Sequence, residues 1–532
     1  MQVWTAPSIR GCFKNALPLL GDSNCFTLHA AKGEFVSMQA LLRNNIHSNI
    51  PEKHIPQHIS GARITQTAGP AFDTASIRVQ AQQYISFNDG ITYPDPISNK
   101  AEAVVLPSTT QSMWLTFPIL ETQEAGEYVF HVEFDCEDED ENAIDITLKI
   151  YDVAIPATSK GEYLIEHFHT PEDQLMLDDA GYDCTVFDDK WWQFMEEFAR
   201  SLRECRSNVY RIYPLELLKY AGSCRISEGK WHFDFSIFDK MADLLLESGT
   251  VKQFAIDDPL LPLDSSLIKT LDYDGSILPI DISRSDAELW AREFFTALYE
   301  HIVSRSDPNN WIMHIQDEPY NTETWLWARR LVRKYMPGLR CGNPTHRVGL
   351  SEALGDEVDL YIPLFSLVEE ELEFFENLLD KPNKEVWAYC CCGPSETWYL
   401  NRFIDKPVIH SRLIAWATYS RRLKGYLHYG YNWWQKTNQF YPFSINPDSH
   451  FKGDALMVYP SPEDNSYRIS NRYINIRDGA QDFELFKLAE KVDPEKALAL
   501  SRSVAVGYKD FVIDEKHFMD ARKQLLEIVQ GI

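Results

Sequence analysis

Residues 1–157 alternate apolar and polar positions in short runs such as 35–42 (FVSMQALL) and 127–134 (EYVFHVEF), parted by turn-rich stretches. A period of two sends successive side chains to opposite faces of a strand, so this segment is expected to bury its apolar faces as a β-sandwich. The acidic run 137–142 (EDEDEN) lies between two strand-like segments and reads as a solvated hairpin tip. It lacks the spacing and the glycine of an EF-hand loop.

After a linker at 154–158 (AIPAT) the pattern changes to strand, loop and long amphipathic helix. Strand-like runs at 163–168, 208–212, 251–256, 311–316, 341–343, 358–362, 385–392 and 425–431 alternate with helical patterns such as 189–205, 286–305, 322–335 and 408–422. Eight such steps in about 290 residues predict a (β/α)8 TIM-type barrel, whose active site is built at the C-terminal ends of its strands. A doubly wound sheet fits less well, because no Gly-rich phosphate loop follows the first strand. The expected organisation is a β-sandwich domain at 1–157, a catalytic barrel at 158–452, and a C-terminal strand and helix extension at 453–532 packed on the barrel.

The strand-end rule narrows the candidate chemistry. The first strand offers Glu166, His167 and His169, the second Arg211 and Tyr213, and the third Asp257 and Asp258. The fourth offers Gln316, Asp317 and Glu318 before Pro319, and the fifth Asn343 and His346. The seventh ends in Tyr389 and Cys390 to Cys392, and the eighth in His428, Asn432, Trp433 and Trp434. Asp-Glu steps recur elsewhere in the chain, so the dipeptide alone means nothing. What distinguishes Asp317-Glu318 is that it ends a buried apolar strand and is fixed by a proline. Burial and a neighbouring like charge would raise one pKa and suit that group to move a proton near neutrality. Most glycosidases need a second carboxylate across the scissile bond. The seventh strand ends in Tyr389 and cysteines, so the chemistry left open is substrate assistance, in which a 2-acetamido group attacks the anomeric carbon. Cys390 to Cys392 are read as packing residues.

The 51 Lys and Arg stand against 79 Asp and Glu, a formal charge of −28 that disfavours phosphate backbones and anionic membrane surfaces. A neutral partner such as a sugar or a peptide is easier to accommodate, and with the chemistry at Asp317-Glu318 the expected partner is an oligosaccharide or glycoconjugate, with no nucleic acid and no membrane; self-association stays open. No run of 18 apolar residues occurs. The N-terminus has neither a basic region nor an apolar core of a signal peptide, and the ten scattered cysteines include no CxxC pair. These features predict a cytoplasmic protein with reduced thiols, acting on imported oligosaccharide fragments.

Residues 314–319 (HIQDEP) resemble the signature of glycoside hydrolase family 123 and its relatives, the domain of unknown function 4091 proteins. The blocks 93–96 (YPDP), 431–434 (YNWW), Gly453-Asp454, 458–460 (VYP) and the run 472–484 are similar to that family in the same order. The resemblance implies a β-sandwich followed by a (β/α)8 barrel, and an exo-acting β-N-acetylgalactosaminidase that retains configuration through an oxazolinium intermediate. It makes Glu318 the acid/base and Asp317 the stabiliser of the acetamido group, with no cofactor and no metal. Position adds Tyr389 as a donor to the acetamido oxygen, Trp433 and Trp434 as a sugar platform, and Asn432 and Asp454 as hydroxyl ligands. His169 and Asp257 join them as substrate-binding candidates. Adjacent side chains alternate, so Trp433 and Trp434 are not expected to face inward together. Asp478 and Glu484 read as helix surface or cap groups. Two other classes stay open: a metal-dependent amidohydrolase using His167 and His169, for which the ligand set is incomplete, and a non-catalytic glycan-binding protein.

Overall fold

Strand Phe35–Arg43 shows how the N-terminal pattern is used. Val36, Met38, Ala40 and Leu42 enter an apolar core with Phe117, Phe130, Val132 and Ile146. The intervening polar positions are also covered: Ser37 shares a hydrogen bond with Thr116, and the Gln39 side chain donates to the Pro7 and Arg10 carbonyls. The computed structural model describes residues 1–45, 55–137, 142–263, 265–434 and 449–531. One N-terminal sheet runs Gln2–Pro7, Phe35–Arg43, Thr110–Pro118, Arg78–Ser86, Thr92–Ile97, antiparallel throughout. The other runs Cys25–Lys32, Ala143–Ala154, Gly126–Cys136, Gln57–Ala68, Ala103–Val105, and its first pair is parallel. The acidic run joins two antiparallel strands of this sheet; its residues 138–141 lie outside the described residues.

Eight parallel strands then close into a barrel: Leu164–His167, Val209–Ile212, Gln253–Ile256, Trp311–His314, Arg340–Thr345, Leu360–Pro363, Glu385–Tyr389 and Gly425–His428. Leu164, Val209, Ala255, Ile312, Ile362, Trp387 and Leu427 fill its interior. Gly425 makes room for the Trp387 indole, since a Cβ there would lie 2.6 Å from the ring. All eight C-terminal strand ends open onto one mouth.

This topology corrects the expected architecture of a β-sandwich followed by a (β/α)8 TIM-type barrel with appended helices. The N-terminal region forms two largely antiparallel five-stranded sheets, one with a parallel edge pair, and the all-parallel closed barrel lacks a one-helix-per-strand rhythm. Antiparallel hairpins, Cys224–Ser227 with Lys230–His232 and Leu267–Leu271 with Ile277–Asp281, interrupt the second and third connections. Among the described residues, the eighth strand leads to a third hairpin, Val458–Ser461 with Ser466–Ile469, before the next α-helix. Local periodicity identifies a strand but not its pairing partner, and these hairpin strands are too short to carry a clear period.

Helix Asn471–Val492 is buried almost all round and packs on helix Ile409–Ser420. Asp478 and Glu484 are therefore not surface or cap groups. Arg477 donates to Asp478, and Glu484 accepts the backbone N–H groups of Glu162 and Tyr163 at the entry to the first barrel strand. Arg472 of this helix makes an ion pair with Asp95 at 2.7 Å, linking it to the N-terminal sheets. Among the described residues no helix is long and apolar enough to cross a membrane.

Candidate active site

The fourth barrel strand runs on past His314 as an extended segment ending in Asp317 and Glu318. The loop after the third strand clamps it. Gln316 Nε2 donates to the carbonyls of Leu261 (2.7 Å) and Ser265 (2.9 Å), and the Leu263 N–H donates to the Asp317 carbonyl at 2.9 Å. Glu318 adopts φ +42° directly before Pro319. A side chain is disfavoured in that region, and a following proline disfavours helical backbone further. Strain of this kind costs about 1–3 kcal/mol and persists only where its surroundings hold it.

Two donors converge on the Glu318 carboxylate. The Tyr389 hydroxyl, at the end of the seventh strand, donates to Oε1 at 2.5 Å, and His346 Nδ1 lies 3.6 Å from the same oxygen. Arg347 Nε donates to His346 Nε2 at 3.4 Å. A guanidinium only donates, so Nε2 carries the lone pair and Nδ1 the proton that faces Glu318. Burial pushes Glu318 up, but the nearby His346 imidazole and the hydrogen bond from Tyr389 outweigh it and hold the carboxyl below its usual range. Asp317 behaves oppositely: burial and the charge of Asp258 push it up to about 7, against the pull of Arg211. Of the two carboxyls, Asp317 is therefore the one that takes up a proton more readily near neutrality.

A charged floor lies beside the pair. Arg211 donates from Nη2 to Asp257 (2.6 Å) and Asp258 (2.5 Å), and Lys269 reaches the other Asp257 oxygen at 2.6 Å. The guanidinium stacks 3.9 Å over the Phe168 ring. Arg211 Nη1, Asp258 Oδ1, His314 Nδ1 and Gln316 Oε1 are buried without a hydrogen-bond partner among the described residues. Deeper in the barrel, His314 Nε2 lies 3.0 Å from both Glu166 oxygens.

The structure brings Asp317, Glu318 and Tyr389 together, and links Asp257 to them through Arg211. Other candidates take the following positions. His169 packs at a tilt against Tyr210, ring centroids 4.1 Å apart, and meets Phe198 edge-on, in the layer between barrel and helices; burial lowers its pKa to about 3. His167 shares that layer, bonded to Ser207 and edge-on to Tyr426. Trp434 is buried, donates to the Val458 carbonyl and stacks on Tyr182, while Trp433 is half-buried. Asn432 is buried and accepts from the Thr170 N–H. Asp454 is buried and bonded to His428 Nε2 (3.0 Å) and the Tyr429 hydroxyl (2.8 Å); burial pushes its carboxyl up to about 6. Among the described residues no group of three or more His, Cys, Asp or Glu side chains is arranged to hold a metal ion. Arg211, Asp258 and His346 carry the electrostatics of the pair, although only their strand-end positions mark them in the sequence.

The catalytic-domain profile of glycoside hydrolase family 123 matches residues 179–489, a segment that includes the Asp317-Glu318 pair, Arg211, His346 and Tyr389. The chain belongs to glycoside hydrolase family 123. It is a glycoside hydrolase. The solved structure of a family 123 glycoside hydrolase from Clostridium perfringens, described in the context of glycolipid glycan hydrolysis, is similar with TM-score 0.75 and 13% identity. The match covers 100% of this chain and 97% of that one, and at this identity it speaks for a shared fold alone. A GH5 xyloglucanase from Bacteroides ovatus aligns with 9% identity over 86% of this chain and 98% of its own, at a TM-score of 0.33 that bears no weight. No curated protein matches the sequence.

Proposed function

We propose that this family 123 enzyme releases terminal β-linked N-acetylgalactosamine, or a related 2-acetamido sugar, with retention, using the substrate's own acetamido group as the nucleophile. The observation that carries the reading is the adjacent carboxylate pair at the fourth strand end, facing Tyr389 where a two-carboxylate glycosidase would need its partner acid. In this scheme Asp317, as the anion, accepts the acetamido N–H and holds the carbonyl oxygen against the anomeric carbon. Glu318, protonated, donates to the glycosidic oxygen as the aglycone leaves. Glu318 then takes a proton from the water that opens the oxazolinium ion, restoring the sugar with its original configuration.

The surroundings favour protonation of Asp317 over Glu318, the reverse of what this reaction needs, and substrate binding would supply the correction. A Tyr389 hydroxyl that turns from Glu318 to the acetamido oxygen removes a donor from Glu318 and raises its pKa. An acetamido N–H directed at Asp317 stabilises that anion and lowers its pKa. Both changes drive the proton from Asp317 to Glu318. The unpartnered Arg211 Nη1 and Asp258 Oδ1 offer a donor and an acceptor, the complement of one sugar hydroxyl. A glycolipid glycan is a fitting substrate class, given the topic of the Clostridium perfringens relative. The ten free cysteines favour work in a reducing compartment.

The test is a panel of aryl β-glycosides with purified enzyme. Cleavage of the 2-acetamido galactoside with retention, no turnover of the matching 2-hydroxy galactoside, and inhibition by a thiazoline mimic of the oxazoline are expected. Equal cleavage of the 2-hydroxy sugar would refute substrate assistance.

A further inference from the structure

Of the three consecutive cysteines that follow Tyr389, only Cys390 is fully buried, with its sulfur 3.4 Å from the Tyr426 hydroxyl. Cys391 and Cys392 are half-buried, and their sulfurs lie 3.9 Å apart. Cys391 packs with Phe168 and Tyr389 in the barrel interior. Its backbone is tied down by Gly393, whose carbonyl accepts the Cys391 N–H, and by Asn401, which donates to the Cys391 carbonyl. Two half-buried thiols in contact, two and three residues beyond the tyrosine that holds Glu318, form an adjacent pair at the end of the seventh strand.

We propose that Cys391 and Cys392 are a thiol modification site that captures two-electron oxidants and trivalent arsenicals, and that its modification shuts the glycosidase down reversibly. With a hydroperoxide, the Cys392 thiolate attacks one peroxide oxygen, the O–O bond breaks, and a sulfenic acid and an alcohol (water, from hydrogen peroxide) form. The Cys391 thiol, as it loses its proton, attacks the sulfenic sulfur and expels water. Each sulfur gives up one electron and the peroxide bond takes up both. The hydrogen bond from Cys391 lowers the Cys392 thiol below its usual range, which suits it to attack first. Neighbouring Cα atoms are about 3.8 Å apart, whereas disulfides favour separations above about 4.4 Å. The product is therefore a strained ring that distorts the strand end and is readily reduced by a dithiol. That distortion moves Tyr389 away from Glu318.

The experiment treats the full chain with hydrogen peroxide or with phenylarsine oxide and follows intact mass, peptide mapping and turnover. Phenylarsine oxide condenses with both thiols, losing one water. One equivalent should bind the unmodified protein, peroxide should remove two hydrogens from the peptide carrying Cys391 and Cys392, and dithiothreitol should reverse both. Turnover should fall by about 10²-fold, the cost of shifting a positioned group by roughly 1 Å. Cys391→Ser and Cys392→Ser should both lose arsenical binding and the two-hydrogen loss, Cys391→Ser stopping at a Cys392 sulfenic acid and Cys392→Ser resisting that oxidation, while Cys25→Ser, at the exposed cysteine, should stay sensitive. Undiminished arsenical binding by Cys392→Ser, or free thiols at 391 and 392 after peroxide, would overturn the proposal. Mass and stoichiometry are read without a glycoside, so a wrong substrate assignment would leave them intact.

Discussion

The Tyr389 hydroxyl and the Glu318 carboxylate meet at 2.5 Å, joining the ends of the seventh and fourth barrel strands. This contact stabilises the Glu318 anion, and in the proposed reaction the same hydroxyl later serves the acetamido oxygen. Tyr389→Phe should therefore raise the Glu318 pKa and remove a transition-state donor. Loss of such a donor costs about 10²–10³-fold in kcat. The pH profile of kcat/KM should show its Glu318-linked step at higher pH in the variant. An unmoved profile would mean that the hydroxyl does not tune Glu318.

The two carboxylates should separate by their response to the leaving group. Glu318→Gln removes proton donation, so turnover of a glycoside with a poor leaving group should fall by about 10²–10⁴-fold. A dinitrophenyl glycoside, whose leaving group needs no proton, should recover most of the first step. Asp317→Asn weakens attack by the acetamido group itself and should be impaired on both substrates. Steady-state kinetics on the two glycosides check this, and rescue of Asp317→Asn without rescue of Glu318→Gln would exchange the assigned roles.

Legibility in the sequence followed the range of the interaction. The Asp317-Glu318 pair is readable because its context is local: an apolar run, two acids and Pro319. The clustering of Arg211, Asp258 and His346 around it depends on which strands are neighbours in the closed barrel, and no local period encodes that. Adjacent Trp433 and Trp434 illustrate both sides. Alternation predicts that they part, and tertiary packing alone decides that Trp434 is the one stacked on Tyr182. Asp478 and Glu484 mislead because a charged helix residue usually marks a surface, whereas here buried arginines and free backbone N–H groups satisfy them.

Asp317 should also leave a signature in stability. Its carboxyl is raised by burial and by Asp258 to about 7 in the folded protein, against an ordinary value of 3.8. Between these values the folded state binds the proton more tightly than the unfolded chain, so this group's contribution to stability falls as pH rises from about 4 to 7. A neutral asparagine does not titrate. The Tm of Asp317→Asn relative to the unmodified protein should thus be higher at pH 8 than at pH 4.5, while activity is lost. Thermal unfolding at the two pH values checks the sign, and a constant difference would show that Asp317 is ionised throughout.

Arg472 binds three parts of the molecule. Its Nε and Nη2 pair with Asp95 at 2.7 and 2.9 Å, and its remaining donors satisfy the carbonyls of Arg402 (3.0 Å), Gly453 (2.7 Å) and Leu456 (2.9 Å). Tyr459 donates to the same aspartate. The YPDP block and the C-terminal helix thus meet in one buried ion pair. Arg472→Met leaves the Asp95 charge buried without its counter-ion and three carbonyls short of a donor. Removing one partner of a buried pair costs about 3–5 kcal/mol. Asp95→Asn alone should also destabilise, because it strands the guanidinium, but Arg472→Met/Asp95→Asn together should cost less than the sum of the singles, since neither charge is then left alone. Denaturant unfolding of the four proteins measures the coupling. Strict additivity would show that the two residues stabilise the fold independently.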